Sequence, residues 1–407
     1  LLTLISLLPG LLISDNLVAK ATNNSSIQIY NSPVQIFGLA PGTVKSFTFS
    51  ISMPSEKVLV VLVSTAPVSF DIVSDSTHNV IFKTYTGSFY KVLTLTSGNY
   101  TVYVGDYLNM MVYGRFYIFY LPAPVGIADS GVQISNGKTT PYIEKFSEVI
   151  GIARIFNYSA ENGSSLQLNT VLQINTNNHR QEELWLQDSI QIGKIFCWWR
   201  WPPGYYTVYR FLDNIWNFTN PTANISENLI RGSGYVKVDY SYNPPQTFYW
   251  YATSYYSFST PITVILVINT TTENNAVLVR FGYINTTTNK PVWYDNVTIE
   301  VPGLQSAYLL VDGYNLTGSA ISYDTELVFG GQGYGATVSF NQLNATLNLI
   351  YYNGTYFPPK AVLPYGSDTA ETAVNLETIP GSSGYNVVTG YNITVPLQLK
   401  SAEPPNL

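Results

Sequence analysis

The amino-acid sequence predicts an all-β protein, in which an N-terminal β-sandwich module is followed by a larger β-rich domain of sandwich or barrel type. Apolar residues make up 46% of the 407 residues, which is enough to fill more than one core. Short runs of β-branched and aromatic residues alternate with polar residues and are separated by turn residues, as in β-sandwiches. Segments with the 3.6-residue period of an amphipathic helix are almost absent.

The composition predicts a surface that is polar but carries few charges. Only 11% of the residues are charged and the formal net charge is −6, so nucleic acid is not expected as a partner. A protein with few ion pairs is suited to an acidic environment, because acid unfolding largely follows the protonation of paired carboxylates. The single cysteine, Cys197, excludes an intramolecular disulfide and is expected to be a buried apolar residue.

The chain begins with an apolar segment, and residues 1–21 resemble the remnant of a secretory signal peptide. Ala19-Lys20-Ala21 supplies the small-x-small pattern of a cleavage site. We therefore expect a secreted or extracellular protein, with association with the cell envelope as a further expectation. N-linked glycans are expected at its N-x-S/T sites, which in secreted proteins lie on surface loops. These sites are Asn23, Asn24, Asn99, Asn157, Asn162, Asn217, Asn224, Asn269, Asn285, Asn296, Asn315, Asn344, Asn353 and Asn392.

Three regions follow the apolar segment. Residues 22–122 are expected to form the β-sandwich module, an accessory module or pro-region, because its acids form no recognisable catalytic arrangement. The proline-rich segment Leu121-Pro122-Ala123-Pro124 predicts a linker after it. A catalytic domain over residues 123–375 is then expected, followed by an extended C-terminal tail over residues 376–407.

Most classes of catalytic site are poorly supported. The two histidines, His78 and His179, fall in different predicted domains, so a Ser–His or Cys–His pair is not expected. The sequence has no zinc-ligand spacing and no phosphate-binding loop, so we expect neither a metal nor a cofactor. Paired carboxylates remain, since two that share a proton can act as acid and base on a water molecule. The candidates are Asp129, Asp188, Asp213, Asp295, Asp324 and Glu326.

The stretch from Asp324 to Gly335, D-T-E-L-V-F-G-G-Q-G-Y-G, is the most informative part of the sequence. In an extended chain Asp324 and Glu326 project from the same face, with their backbones roughly 6–7 Å apart. The four glycines that follow indicate a sharp turn or a close backbone approach. Asp129-Ser130-Gly131 is similar to the D-[ST]-G loop of pepsin-type proteases, but no second copy occurs, so two pepsin-like lobes are not expected.

The E-L-V-F-G-G run, with other short pieces in order, resembles the thermopsin family of archaeal acid endopeptidases. Those pieces are Gly126 to Gly131, Leu166-Gln167-Leu168-Asn169, Trp185-Leu186-Gln187, Asp213 to Asn217, Phe281-Gly282-Tyr283 and Tyr294 to Thr298. The resemblance implies a secreted endopeptidase that cleaves proteins or peptides at low pH and high temperature by carboxylate-activated water. The expected catalytic pair is Asp129 with Glu326, and Asp324 is a supporting or substituting member.

Three further acids are expected to have other roles, and two alternative functions remain open. Asp213 and Asp295 are expected to form turns, and Asp188 to be an extra acid near the site. One alternative is a non-catalytic, heavily glycosylated protein of the cell envelope or of a filament. The other is an acid glycoside hydrolase, since paired carboxylates also cleave sugars.

Overall fold

The computed structural model describes residues 34–51, 56–120, 124–129, 131–135, 138–177, 181–198, 202–217, 224–240, 244–313, 325–362, 366, 369 and 371–389. These residues form strands and turns without a helix, which confirms the all-β prediction. In this part of the chain no helix is therefore long and apolar enough to cross a membrane. The predicted signal segment 1–21, Asp324, and the glycosylation sites Asn23, Asn24, Asn315 and Asn392 lie outside the described residues.

The described chain divides into two compact units. The first contains residues 34–120 and the second most of residues 124–389, while the segment 135–140 is grouped with the first. Strands are labelled in chain order. The segment after the first unit begins with β7 (Val125–Asp129) and a two-stranded ribbon, β8 (Val132–Ser135) and β9 (Lys138–Pro141).

The first unit is a six-stranded sheet that folds back on itself. Its strands are β1 (Val34–Leu39), β2 (Val44–Ile51), β3 (Glu56–Ser74), β4 (Val80–Leu95), β5 (Gly98–Gly105) and β6 (Val112–Tyr120). The order is β1-β6-β3-β5-β2, and β4 pairs with β3. The first half of β3 pairs with β6 and the second half with β5. The rings of Phe47 and Phe116 meet 5.0 Å apart, so the predicted sandwich is one folded sheet.

The second unit contains two larger sheets, of which we call the first the front sheet. Its order is β10-β22-β12-β13-β14-β17-β16, with β18 paired to β14, and β23 paired to β12 and β7. Besides β7 its strands are β10 (Ile143–Phe146), β12 (Ser164–Thr176), β13 (Gln181–Cys197), β14 (Gly204–Asn217), β16 (Tyr235–Asp239), β17 (Gln246–Ala252), β18 (Tyr256–Ser257), β22 (Leu304–Asp312) and β23 (Thr325–Gly331).

The back sheet has the order β15-β21-β20-β19-β11-β24-β28-β27, with β25 and β26 paired to β24. Its strands are β11 (Glu148–Ala160), β15 (Ile230–Arg231), β19 (Ile262–Glu273), β20 (Ala276–Asn285), β21 (Lys290–Glu300), β24 (Thr337–Tyr352), β25 (Tyr356–Phe357), β26 (Thr372–Val374), β27 (Leu376–Gly381) and β28 (Gly384–Thr389). The expectation of an extended tail from residue 376 is wrong up to 389, because β28 pairs with β24 and β27 with β28.

A single hydrophobic core lies between the front and back sheets. Leu168 of β12 and Leu327 of β23 point into it from the front sheet. Gly151 of the back sheet meets them, because a Cβ at this position would lie 2.9 Å from Leu327 Cδ1 and 3.1 Å from Leu168 Cδ1. Residues that alternate with the leucines therefore point away from the core, onto the outer face of the front sheet. That outer face carries the candidate site.

Candidate active site

The structure does not bring the Asp129 and Glu326 carboxylates together. Strands β7 and β23 pair so that Asp129 lies opposite Thr325, while Glu326 lies opposite Ala128. Because side chains alternate along a strand, Asp129 and Glu326 project from opposite faces of the front sheet. The expectation that these two carboxylates act as a pair on one water is therefore wrong. Asp324, the third expected member, lies outside the described residues.

Asp129 points into the core and acts there as an acceptor of several hydrogen bonds. Its Oδ1 accepts from the Gly131 amide at 2.9 Å and from the Tyr142 hydroxyl at 2.5 Å. Its Oδ2 accepts from the Tyr351 hydroxyl of the back sheet at 2.9 Å. The side chain is fully buried. This environment ties β7, the loop after it and the back sheet together, which favours a structural role.

Glu326 lies on the outer face and begins a row of hydrogen-bonded side chains that crosses four strands. Asn169 is directly opposite Glu326, Gln187 opposite Asn169, and Asn214 opposite Gln187. Asn169 Nδ2 donates to Glu326 Oε1 at 2.7 Å, and Gln187 Nε2 donates to Asn169 Oδ1 at 3.2 Å. Asn214 Nδ2 donates to Gln187 Oε1 at 2.6 Å. We call these four residues the amide row.

The far end of the amide row opens into a cleft of about 920 Å³, its open mouth included. Gln187 and Asn214 line this cleft together with Gln167. One wall is aromatic and is formed by Trp185, Trp216, Phe248 and Trp250. The opposite wall contains the turn after β23, Gln332 to Gly335, together with Thr369 and Glu371. A cleft with apolar walls and a few convergent polar groups is the usual form of a substrate site.

Gly330, the first of the two glycines in the E-L-V-F-G-G run, shapes the wall of this cleft. A Cβ at Gly330 would lie 2.8 Å from Glu371 Cβ, so the glycine makes room for Glu371 against β23. Glu371 Oε1 accepts a hydrogen bond from the Gly335 amide at 3.2 Å. Gly330 and Glu326 share the outer face and are four residues apart, or about 13 Å along the strand. Glu371 was missed in the sequence because it belongs to none of the short pieces that resemble the family.

Gly366 covers the Glu326 carboxyl, which is fully buried. A Cβ at Gly366 would lie 2.7 Å from Glu326 Oε2 and 2.3 Å from Val328 Cγ1. The backbone of Gly366 therefore packs directly against Oε2. Among the described residues, no group of three or more His, Cys, Asp or Glu side chains is arranged to hold a metal ion.

A second set of acids faces the core. Two of its members lie on β13 and β14, behind the amide row. Asp188 and Asp213 are directly opposite each other on β13 and β14, and both are fully buried. Asp188 accepts hydrogen bonds from the Tyr294 hydroxyl at 2.7 Å and from the Val267 amide at 3.2 Å. Neither carboxyl oxygen of Asp213 has a hydrogen-bond partner among the described residues. We call Asp188, Asp213 and the nearby Asp295 the core acids.

Burial changes the protonation of two core acids. It raises the pKa of Asp188 well above its usual value, and hydrogen bonds from Tyr294, Val267 and Gly282 offset part of that effect. The pKa of Asp213 is also raised well above its usual value, first by burial and then by the charges of Asp295 and Asp188. These side chains are therefore neutral at acid pH.

Asp295 alternates with the core residues Val297 and Ile299, and an irregularity in β21 follows directly beside it. The pairing of β20 with β21 shifts between Phe281, opposite Asp295, and Gly282, opposite Trp293. The extra residue is Tyr294, and such a bulge lets two consecutive side chains face the interior. Asp295 Oδ2 accepts from the Tyr249 hydroxyl at 2.6 Å.

The structure corrects the expectations for three acids. Asp213 and Asp295 lie within buried strands and do not form turns. Asp188 lies on the core face, away from the cleft. The predicted burial of Cys197 is confirmed.

The expected glycosylation sites divide into two groups where the structure describes them. Half-buried side chains are found at Asn217, Asn269 and Asn285. Asn269 Nδ2 is also engaged, because it donates to Glu148 Oε2 at 3.1 Å. The exposed sites are Asn99, Asn157, Asn162, Asn224, Asn296, Asn344 and Asn353.

Comparison with known proteins finds both sequence relatives and distant structures. A profile of the thermopsin family matches residues 110–376. Thermopsin of Sulfolobus acidocaldarius is 34% identical over 320 residues, which cover 74% of this chain and 86% of that protein. The extracellular region of zebrafish Gpr126/Adgrg6 has a TM-score of 0.17 and 9% identity, covering 90% of this chain and 42% of that chain. The LG1-3 region of the laminin alpha2 chain has a TM-score of 0.11 and 8% identity, covering 91% and 93%.

Proposed function

This chain belongs to the thermopsin family, and from that membership and the geometry of the cleft we propose that Glu326 is its catalytic carboxylate. The chain is a thermopsin-like acid peptidase whose substrates are proteins or peptides. The observation that carries the site assignment is the amide row, which joins the Glu326 carboxyl to the floor of the cleft. Neither the glycoside hydrolase nor the non-catalytic envelope protein is better supported.

The proposed reaction is general acid–base hydrolysis. An extended peptide lies along the cleft, and its binding displaces Gly366 from Glu326 Oε2. The ionised carboxyl takes a proton from a water molecule, and the resulting hydroxide attacks the carbonyl carbon of the scissile bond. Amide groups of the cleft stabilise the negative oxygen of the tetrahedral intermediate. The carbon–nitrogen bond breaks when the Glu326 carboxyl passes this proton to the leaving nitrogen, which restores Glu326 to its ionised form.

Glu371 is a second carboxyl of the cleft, and we assign it to substrate binding. It lies on the cleft wall, on the same face of the front sheet as Glu326. Because it packs against Gly330, about 13 Å along β23 from Glu326, the two carboxyls are too far apart to act on one peptide bond. Glu371 therefore does not replace Asp129 as the partner of Glu326.

The test is digestion of a denatured protein at about pH 2–3 by the purified chain and its variants. Glu326→Gln keeps the size of the side chain but removes its ionisation, so kcat should fall by about 10²-fold or more. Glu371→Gln should raise KM more than it lowers kcat, because Glu371 lines the cleft but lies far from Glu326. Glu273→Gln changes an exposed glutamate of β19 and serves as the matched control. Full activity of Glu326→Gln, with a normal melting temperature, would remove Glu326 from the mechanism.

We also propose that the protein is secreted and carries N-linked glycans. The apolar segment 1–21 and the exposed N-x-S/T sites support this. Glycans are expected at the exposed asparagines and not at Asn269, because its amide would have to leave Glu148. Peptide mapping by mass spectrometry of protein from the native host tests both statements. A glycan on Asn269, or none on any exposed site, would contradict them.

A further inference from the structure

The amide row has a direction, and that direction is set by the backbone. Ser165 Oγ donates to the carbonyl of Gly331 at 2.5 Å, so its oxygen is left to accept from Gln167 Nε2 at 2.8 Å. Gln167 Oε1 must then face a donor, and Gln187 Nε2 supplies it at 2.9 Å. The orientation of Gln187 is therefore fixed from the E-L-V-F-G-G run itself.

The fixed Gln187 amide determines how Asn169 is oriented. Gln187 Nε2 also donates to Asn169 Oδ1, while its Oε1 accepts from Asn214. Asn169 must consequently turn its NH₂ group toward Glu326, to which it donates at 2.7 Å. Reversing any one amide would place two oxygens or two NH₂ groups against each other. Every donor in the row points toward the carboxyl.

We propose that Asn169, Gln187 and Asn214 are positioning residues that make Oε2 the reactive oxygen of Glu326, a proposal that rests on Glu326 being the catalytic carboxylate. An NH₂ group that donates to Oε1 makes protonation of that oxygen less favourable than protonation of Oε2. The proton taken from water is therefore held on Oε2, which is the oxygen that faces Gly366. Donation to Oε1 also favours the ionised form, which a general base needs in acid.

A purely structural role does not explain why the amide row consists of connected polar side chains. Buried amides must be satisfied wherever they occur, and apolar side chains avoid that demand. The neighbouring cross-strand pair on the same face, Val171 with Trp185, shows that apolar side chains fit this surface. The polar residues instead form one connected chain that ends on the carboxyl.

The test is Gln187→Glu, which keeps the size of the side chain and replaces its donor by an oxygen. An ionised carboxyl at this position attracts the NH₂ group of Asn169 and turns its oxygen toward Glu326. The acid side of the kcat/KM profile should then move to higher pH by about one unit, which is about 1.4 kcal/mol. Gln173→Glu adds the same charge to β12, and Gln173 lies four residues from Asn169. This control should leave the profile in place.

The outcomes separate this inference from the proposed function. An inactive Glu326→Gln with an unmoved acid side in folded Gln187→Glu would overturn the positioning role alone. An active Glu326→Gln would overturn both. If Gln187→Glu fails to fold, Asn214→Asp acts on the same amide from the next strand and should move the profile in the same direction. A shift of equal size in Gln173→Glu would show that added charge, not amide direction, is responsible.

Discussion

Because the core acids are buried, we expect the folded protein to be most stable at acid pH. The Asp213→Asn variant tests this expectation directly. The pKa of an aspartate in the unfolded chain is close to 3.9. In the folded protein the pKa values of Asp188 and Asp213 are raised by burial. The folded state thus binds more protons than the unfolded state, so stability is complete below about pH 4 and falls as pH rises.

The size of the effect follows from the number of groups that titrate. Each raised group removes about 1.4 kcal/mol of unfolding free energy per pH unit between its unfolded and folded pKa values. Asp188 and Asp213 together remove about 2.7 kcal/mol per unit where both titrate. Domains are typically stable by about 5–15 kcal/mol, so a few pH units are enough to matter. Asp213→Asn removes one of these groups and should lower the slope by about 1.4 kcal/mol per pH unit.

Urea unfolding at pH 3, 4, 5 and 6 measures these slopes, in a Glu326→Gln background that limits self-digestion. At pH 3 the Asp213→Asn variant should match its parent, because an amide and a neutral carboxyl have the same shape. At pH 6 the variant should be the more stable protein. Glu273→Gln, at an exposed site, should follow the parent throughout. A parent whose stability is flat or rises from pH 4 to 6 would refute the reasoning.

Two further substitutions test the assignments of individual residues. Asp129→Asn should lower the unfolding free energy by about 1–3 kcal/mol, because hydrogen bonds from Tyr142 and Tyr351 lose their charged acceptor. The folded fraction should keep its peptidase rate, and a stable but inactive Asp129→Asn would return this residue to the catalytic site. Gly366→Ala places a methyl group beside Glu326 Oε2 and should lower kcat in a peptide assay. Unchanged kinetics in Gly366→Ala would mean that substrate approaches from another side.

Local patterns predict the faces of single strands well. The alternation Leu166-Gln167-Leu168-Asn169 is enough to place the leucines in the core and the amides outside. The short pieces that resemble the thermopsin family contribute Asn169, Gln187, Asn214 and Glu326 to one row. The all-β class follows from the same alternation repeated along the chain.

The pairing between distant strands could not be predicted in this way. Asp129 and Glu326 are separated by a one-residue offset between β7 and β23, and a one-residue change reverses the face of a side chain. That register depends on contacts across nearly two hundred residues of chain. The extra residue at Tyr294 is equally hard to predict from the sequence, yet it turns Tyr294 toward the interior, where its hydroxyl donates to Asp188.

Strands β13 and β14 carry two kinds of chemistry back to back. Gln187 and Asn214 form a pair on the cleft face. The residues adjacent to them in the chain, Asp188 and Asp213, form a pair on the core face. A slip of one residue between these strands would misalign the amides and the acids together. A redesign of this peptidase for neutral solutions must therefore change residues on both faces of the same two strands. The register of β13 with β14 determines both the alignment of the amides and the pairing of the buried acids.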